Sequence, residues 1–416
     1  MDILFFAQIS PYGKERVGGA ETSMRLIAEG MAARGHRVTF ASLRPDMRRS
    51  VSRTRRNGLE ILLLPNPRRG VARRLLLETG RTGAVRAIES RGWDRVDRLL
   101  FGPGPDGRRP DVLYAFYEIE FLRRALHRRD AAAAGSRRMA IMMRMAGLNW
   151  YETIRLGRGD PGEIAAVFNG VDAINFLSEA SRALVAERAA ELGMPLTPRA
   201  SLVADIGVDV RGVTHGWQGP SMGPGLRLLC ATRFSPEQKR QDLLIEALGL
   251  LKGRLDIRAT LIGNGSTREP LARRRDALGL AESVEILPFL PQEEIWARMR
   301  AADLLCHPCD YEGLGKIILE AMMLGLPALV SDVPPLDAYV IEGETGFRVA
   351  NTPEAWAAKL VALAADKARL PGVSSRARAY VEGAYDVERN IDLYEAQFEG
   401  LLSAAGSAGK SAVGAQ

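Results

Sequence analysis

Two glutamates flank a glycine turn in the last third of the chain. Glu312 precedes Gly313-Leu314-Gly315, and Glu320 follows eight residues after Glu312, on roughly the same side of a predicted helix. Glycine lets a ligand approach the backbone because it carries no Cβ, and the free amides at the start of a helix bind phosphate. One carboxylate is suited to a sugar hydroxyl and the other to a ribose. Together these features indicate a site for a nucleotide sugar, although each one alone also fits an ordinary turn or a solvated helix residue.

Two cations lie between an apolar strand pattern and the next helical pattern. Arg233 and Lys239 are six residues apart, so both can point at one diphosphate, and the guanidinium offers a fork for two oxygens. The alternative is a pair of solvated surface charges, which is the usual state of basic residues.

The whole string is more specific than its parts and resembles the C-terminal motif of the retaining glycosyltransferases of family 4. That family separates two glutamates by seven residues, as this chain does, and carries an Arg and a Lys at the positions of Arg233 and Lys239. The residues that carry the resemblance are Glu312-Gly313-x-Gly315, Glu320-Ala321-Met322 and Gly325-x-Pro327.

The resemblance implies a role for each of these groups. Arg233, Lys239 and the amides of Gly313–Gly315 would neutralise the leaving diphosphate, without a metal ion or other cofactor. Glu320 would bind the ribose, and Glu312 would bind hydroxyls of the donor sugar, which is carried by UDP or GDP.

Further donor contacts follow from the same resemblance. Gly18 and Gly19 begin a Gly-Gly-Ala-Glu segment after the first predicted strand, which in the family faces the donor diphosphate or the acceptor. Gly263 belongs to a glycine turn beside the nucleotide. Phe289 and Leu290 lie in a loop whose backbone contacts the nucleobase, although Phe289 is equally suited to core packing.

One segment departs from the family. Many members carry a histidine near the position of Ala146, facing the reacting sugar, and no histidine stands there in this chain. Arg144 is present instead, and we predict that it binds the acceptor, which is a glycan or a lipid phosphate. The departure leaves two alternatives open: a non-catalytic nucleotide-sugar-binding protein, or another enzyme of the same fold such as a sugar-nucleotide epimerase.

The chain contains three cysteines, and two of them form the string Cys306-His307-Pro308-Cys309. The string is similar to a thioredoxin-type redox motif, but it ends an apolar segment, where cysteine is more often a small core residue. A zinc site needs about four ligands, and no second Cys/His pair is in view. The sequence therefore predicts buried cysteines and no metal.

Charge and composition limit the class of protein. The chain is globular in composition, with 46% hydrophobic and 26% charged residues. It lacks an apolar run of the ~20 residues needed to span a membrane. Its first residues have the pattern of a strand rather than of a signal peptide, so a cytoplasmic location is expected. Residues 1–150 hold 29 Lys+Arg and 15 Asp+Glu. This basic excess favours binding to an anionic acceptor or to the inner membrane face, although a coding bias towards arginine would also produce it. The sequence shows no pattern typical of a nucleic-acid-binding protein.

Apolar runs alternate with helical patterns along the chain, which predicts an α/β protein. The resemblance implies the GT-B fold, in which two Rossmann-like, doubly wound domains face each other across an interdomain cleft. We predict an acceptor-binding domain over residues 1–213, a linker over 214–225, a nucleotide-sugar-binding domain over 226–385, a helix over 386–402 that returns to the first domain, and a disordered tail over 403–416.

Overall fold

The structure is a computed structural model in which two compact units can be described. It describes residues 1–13, 19–48, 50–78, 81–102, 109–116, 118–131, 138–145, 147–205, 207–209, 212–213, 215–236 and 238–413. Unit 1 comprises Met1–Leu177, Arg182–Ala204 and Glu388–Gln416, and unit 2 comprises Ser178–Ser181 and Asp205–Val387.

Unit 1 is built on an eight-stranded sheet covered by helices. Its strands are β1 (Asp2–Ala7), β2 (Arg37–Leu43), β3 (Ser52–Arg56), β4 (Leu59–Leu64), β5 (Val112–Phe116), β6 (Ala140–Met145), β7 (Ala173–Phe176) and β8 (Ser201–Val203). The helices among them are α1 (Gly19–Ala33), α2 (Val71–Glu78), α3 (Thr82–Phe101), α4 (Ile119–Asp130), α5 (Asn149–Arg155), α6 (Pro161–Gly170) and α7 (Glu179–Glu191).

The strands of unit 1 lie in the order β3-β4-β2-β1-β5-β6-β7-β8. All neighbouring pairs are parallel except β3 with β4. The central strand β1 is apolar from Ile3 to Ala7, and all five residues are buried, because helices cover both faces of a parallel sheet. The chain winds outward from β1 in both directions, as in a doubly wound fold.

Unit 2 repeats this architecture on a smaller scale. Its strands are β9 (Leu226–Ala231), β10 (Ile257–Ile262), β11 (Val284–Leu287), β12 (Leu304–His307), β13 (Ala328–Ser331) and β14 (Phe347–Val349). Its helices are α8 (Gln241–Leu251), α9 (Arg268–Ala277), α10 (Gln292–Ala301), α11 (Lys316–Leu324), α12 (Pro353–Ala365) and α13 (Leu370–Ala384).

The sheet of unit 2 is entirely parallel, in the order β11-β10-β9-β12-β13-β14. The direction of winding reverses between β9 and β12, which is where a doubly wound sheet leaves a crevice at the carboxyl ends of its strands. The α/β class and the two Rossmann-like units predicted from the sequence are thus confirmed.

The last helix, α14 (Val387–Val413), belongs to unit 1 from Glu388 onward. Its Tyr394 hydroxyl donates to Asn175 Oδ1 at 3.1 Å, and its Phe398 ring lies 5.7 Å from the ring of Tyr114. The helix also continues past Leu402, where the sequence predicted it to end and a disordered tail to begin. Unit 1 is therefore completed by residues that follow unit 2 in the chain.

The boundary between the units also differs from the predicted one. The change of unit comes between Ala204 and Asp205, rather than at residue 213. In the predicted linker, the Trp217 ring nitrogen donates to Ala302 O at 2.7 Å and the Ser221 hydroxyl donates to Asp303 at 2.7 Å. The apolar ring and these hydrogen bonds fasten much of this Gly/Pro-rich segment to unit 2.

Helix α14 changes the charge balance that the sequence suggested for the first half of the chain. Arg34, the residue after α1, forms ion pairs with Asp392 at 2.5 Å and Glu395 at 2.7 Å, and His36 lies 2.6 Å from Glu395. Part of the basic excess of residues 1–150 is therefore neutralised by acidic residues from the end of the chain. Among the helices of the described residues, none combines the length and the apolar character needed to cross a membrane.

Candidate functional site

The strongest cluster of predicted site residues lies at the carboxyl edge of the sheet in unit 2. Two loops meet there, one after β9 and one after β12, which are the two strands at the reversal of winding. Residue Lys239 of the first loop and Cys309 of the second form an isolated antiparallel bridge. The loops are thus fixed against each other at the position where sheets of this kind bind ligands.

Lys239 and Glu312 form a buried ion pair within this cluster. The Lys239 ammonium contacts Glu312 Oε2, and the two side chains are only 7% and 12% exposed. His307, the last residue of β12, donates from Nε2 to the same oxygen at 2.9 Å, and its Nε2 lies 3.1 Å from Lys239 Nζ. Three side chains that are distant in sequence therefore converge on one carboxylate oxygen.

This arrangement fixes the charge state of the groups. Burial disfavours the ionised form of Glu312, but the positive charge of Lys239 and the hydrogen bond from His307 outweigh it, so the pKa of Glu312 is held well below its usual range. Burial and the neighbouring Lys239 charge lower the pKa of His307, against the opposing effect of Glu312. At neutral pH the site therefore holds a carboxylate, an ammonium and an uncharged imidazole.

Arg233 lies at the exposed side of the same cluster. Its Nη2 donates to Gln238 Oε1 at 3.2 Å, and Gln238 Nε2 donates to Tyr311 O at 3.2 Å and lies 3.5 Å from Glu312 Oε1. Gln238 thus connects the guanidinium to the loop that carries Glu312. Most of the hydrogen-bonding capacity of Arg233 remains directed at solvent, where a charged ligand can reach it.

The glycine turn prepares the start of α11 for an anion. Gly315 precedes the helix with a φ of +71°, a left-handed conformation that side chains with a Cβ rarely adopt. Gly313 N donates to Glu312 Oε1 at 3.0 Å, and Leu314 O accepts from the Tyr339 hydroxyl. The turn is therefore held rigidly. Ile318 N donates to Gly315 O at 2.8 Å, and the amides of Lys316 and Ile317 precede this bond, where helix amides are available to phosphate oxygens.

Glu320 lies one helical turn into α11 and faces α10. It is 5% exposed, and its Oε2 accepts from Gln292 Nε2 at 2.6 Å and from Trp296 Nε1 at 3.3 Å. Lys316 Nζ lies 3.4 Å from Oε1. The carboxylate is thus surrounded by donors, and its position is set by the neighbouring helix.

The remaining predicted residues of unit 2 lie at the ends of β10 and β11. A Cβ on Gly263 would come within 1.9 Å of Thr232 O, so only glycine fits beside the loop that carries Arg233. Asn264 Oδ1 accepts from Phe289 N at 3.3 Å, which ties the two loops together. Phe289 and Leu290 are both half-buried.

The predicted residues of unit 1 form a separate group. Gly18 lies outside the described residues, and Gly19 begins α1. Arg144, at the end of β6, is completely buried, with its guanidinium 5.4 Å from the centre of the Phe116 ring and its Nη1 3.5 Å from Ala20 O. Within the described part of the chain, its Nε and Nη2 atoms have no hydrogen-bond partner.

The three cysteines are buried and free, as the sequence predicted. Burial raises the pKa of the Cys309 thiol to about 12, so this thiol is unreactive at neutral pH. Ligand atoms of His307, Cys309 and Glu312 lie within 4.8 Å of one another and could in principle hold a metal. The Lys239 ammonium, however, already contacts the imidazole and the carboxylate, so a metal ion on these atoms would have to displace it.

Sequence reasoning missed four side chains that complete the site. His307 was given no role, because it stands in an apolar segment whose cysteines were assigned to the core. A histidine at the end of such a strand was the signal that could have identified it. Gln238, Gln292 and Trp296 carry no motif, and their roles emerge only from the packing of the loops and of α10 on α11.

Comparison with known proteins adds three findings. Residues 221–384 match the family described as Glycosyl transferases group 1. A GDP-mannose-dependent alpha-(1-6)-phosphatidylinositol monomannoside mannosyltransferase of Mycolicibacterium smegmatis is 35% identical over 133 residues, covering 30% of this chain and 35% of the relative. A D-inositol 3-phosphate glycosyltransferase of Nocardia farcinica is 33% identical over 201 residues, covering 45% of each chain. The chain thus spans between about a third and a half of the length of these curated relatives.

Solved structures share the fold along nearly the whole chain. A sucrose-phosphate synthase from Thermosynechococcus elongatus superposes with a TM-score of 0.73 at 17% identity, covering 97% of this chain and 99% of the other. The HepE protein of Anabaena, in complex with UDP-glucose, superposes with a TM-score of 0.65 at 18% identity and the same coverage. At this level of identity, the likeness establishes the fold.

Proposed function

We propose that this chain, whose residues 221–384 match the family Glycosyl transferases group 1, is a retaining hexosyltransferase. It takes a sugar from a UDP- or GDP-sugar and transfers it, without a metal ion, to a glycan or a lipid-linked acceptor. The observation that carries the proposal is the buried Lys239–Glu312 pair, which lies at the reversal of winding and beside the start of α11.

Negative charge develops on the nucleotide diphosphate as it leaves, and this step most requires electrostatic stabilisation. Lys239, Arg233 and the first amides of α11 present positive charge and N–H donors from one edge of the sheet. Preorganised donors of this kind stabilise charge as it develops on a leaving group. They supply the charge that a metal ion supplies in other enzymes, which supports a metal-independent mechanism.

The remaining groups would orient the donor. Glu312 Oε1 accepts hydroxyls of the sugar, while Glu320 accepts the ribose hydroxyls in exchange for its contact with Gln292 or Trp296. The backbone around Gly263, Phe289 and Leu290 borders the base. The names of the relatives support both nucleotides, since one contains GDP-mannose and a structural neighbour was solved with UDP-glucose.

The acceptor would be bound in unit 1, and Arg144 is the residue we assign to it. A completely buried guanidinium with two atoms lacking a partner among the described residues favours an anionic group. A phosphorylated polyol or a lipid phosphate fits this requirement, and the names of the curated relatives contain inositol phosphate and phosphatidylinositol.

We propose that the protein acts in the cytoplasm, at the inner membrane face. Helix α2 carries Leu75 and Leu77, which are 56% and 45% exposed, next to Arg73 and Arg74.

Flotation with vesicles of phosphatidylglycerol and of phosphatidylcholine at low and high salt tests this surface. We expect salt-sensitive binding to the anionic vesicles that Leu75→Gln with Leu77→Gln weakens; equal recovery with both lipids would contradict the electrostatic part.

The function is tested by incubating the protein with UDP-glucose, UDP-N-acetylglucosamine and GDP-mannose in the presence of EDTA. We expect slow release of UDP or GDP, faster release with D-inositol 3-phosphate or a lipid phosphate as the acceptor, and an anomeric configuration that is retained in the product. Saturable binding without release would instead indicate a non-catalytic nucleotide-sugar-binding protein. Conversion of the sugar without a free nucleotide would indicate an epimerase.

A further inference from the structure

His307 is a buried polar residue at the centre of the candidate site to which no role has been assigned. It is 2% exposed and ends β12, where its backbone is in register with Val330 of β13. The following loop is fastened as well, because Cys309 N donates to Ser331 Oγ at 2.9 Å. The backbone of His307 is thus fixed by the sheet, and its buried imidazole contacts Lys239 and Glu312.

The hydrogen-bonding pattern defines what the imidazole does. Lys239 can only donate, and the ionised Glu312 can only accept. His307 Nε2 lies 2.9 Å from an oxygen that can only accept, so we assign the proton to Nε2, which leaves the lone pair on Nδ1. Nε2–H and the Lys239 ammonium are then two donors on one acceptor, Glu312 Oε2, which accounts for their separation of 3.1 Å.

This pattern leaves the two oxygens of Glu312 in different states. Oε2 is committed to His307 and Lys239, whereas Oε1 accepts Gly313 N at 3.0 Å and lies at the long distance of 3.5 Å from Gln238 Nε2. An oxygen has two lone-pair directions, so Oε1 keeps capacity for a ligand hydroxyl. If the imidazole were absent, Oε2 would lose one of its two donors and the carboxylate could turn.

We propose that His307 is a positioning residue that orients Glu312, so that Oε1 faces the hydroxyls of the donor sugar. The inference rests on the proposed role of Glu312 in the donor site. It concerns recognition of the sugar more than of the nucleotide. Of the groups we assign to the diphosphate and the ribose, Lys239 touches the imidazole, and its ion pair with Glu312 Oε2 does not require the imidazole.

Two substitutions separate positioning from simple packing. Glutamine places its amide nitrogen where the imidazole has Nε2, so His307→Gln keeps a donor to Glu312 in a similar volume. His307→Leu fills the space but donates nothing. His127, an exposed histidine on α4 in unit 1, provides the control variant His127→Gln.

The test is calorimetric titration of each variant with UDP, GDP, UDP-glucose and GDP-mannose. We expect His307→Leu to weaken the binding of the preferred sugar nucleotide about tenfold or more, the usual worth of a hydrogen bond to a charged group. Binding of the corresponding free nucleotide should change about threefold or less. His307→Gln should recover most of the loss, and His127→Gln should match the parent. Circular dichroism confirms that each variant is folded.

Two different failures can be told apart. If the parent binds none of the four probes, the proposed function fails and the role of His307 falls with it. If the parent binds them and His307→Leu weakens nucleotide and sugar nucleotide equally, or His307→Gln is no better than His307→Leu, the function stands and the positioning role is wrong. If His307→Leu does not fold, His307→Gln alone tests the positioning role. In that case His307→Gln must bind the sugar nucleotide as tightly as the parent does, and weaker binding would contradict the role.

Discussion

The Lys239 ammonium and the Glu312 carboxylate form a buried ion pair between residues that are 73 positions apart in the sequence. Neither charge is tolerable alone at this depth, because desolvation of an unpaired ion costs more than its remaining hydrogen bonds return. The pair therefore serves stability and function together, because Lys239 keeps the Glu312 carboxyl group ionised.

A double-mutant cycle tests this coupling. Lys239→Met leaves the carboxylate buried without its cation and should lower the free energy of unfolding by about 3 kcal/mol. Glu312→Gln combined with Lys239→Met should be more stable than Lys239→Met alone, because no unpaired charge remains. Urea unfolding followed by circular dichroism measures both effects, and purely additive losses would show that the pair is not coupled.

Substitution of Arg233, unlike substitution of the buried Lys239, should have a large effect on transfer and little effect on stability. It is exposed, and its side chain donates to Gln238 Oε1. Arg233→Ala should lower the rate of UDP or GDP release about 10²-fold, as the loss of a preorganised charge at a leaving group does. The exposed Arg273 of α9 in the same unit offers the control Arg273→Ala, which should retain the parent rate. Equal rates for the two variants would remove Arg233 from the site.

Glu320 and Trp296 provide an optical signal for nucleotide binding. Because the indole N–H donates to the carboxylate that we assign to the ribose, UDP or GDP should change the emission of Trp296. Trp296→Phe should abolish that change, although the other four tryptophans remain. Glu320→Gln should weaken nucleotide binding about tenfold, whereas Glu294→Gln, at an exposed position on α10, should leave it unaltered. A signal that survives in Trp296→Phe would mean that the nucleotide binds elsewhere.

The buried imidazole makes stability depend on pH in a defined direction. The pKa of His307 is lowered in the folded protein, so between that value and the ordinary value of about 6.5 the unfolded chain binds a proton that the folded chain does not. Stability is therefore complete above about pH 6.5 and is lost as the pH falls through this window. Between pH 7.5 and 5.5, the unfolding midpoint should fall further for the parent than for His307→Gln. The lowered pKa of Glu312 acts at lower pH and does not interfere.

The sequence was sufficient for the parts of the molecule that depend on local pattern. The apolar strands and the α/β class follow from periodicity, and the glycine turn at Gly315 follows from turn chemistry. The two Rossmann-like units were implied by the resemblance to family 4. The network around Glu312 could not be predicted in this way, because nothing in the apolar segment around His307 indicates that the loop after β9 brings Lys239 beside it. Likewise, nothing local to Trp296 indicates that α10 packs against Glu320.

The charge argument drawn from the first half of the chain was incomplete for the same reason. Sequence halves and structural units do not coincide, and α14 brings Asp392 and Glu395 to Arg34. Net charge therefore has to be counted over residues that are neighbours in space.

The assignment of α14 to unit 1 has a consequence for how the chain is made. Tyr394 and Phe398 complete the aromatic cluster around Phe5 and Tyr114, yet they are synthesised last. On the ribosome, the first unit must wait for the second to emerge before its interior can close. A protein truncated before Val387 would accordingly be exposed to chaperones and proteases through the half that was translated first.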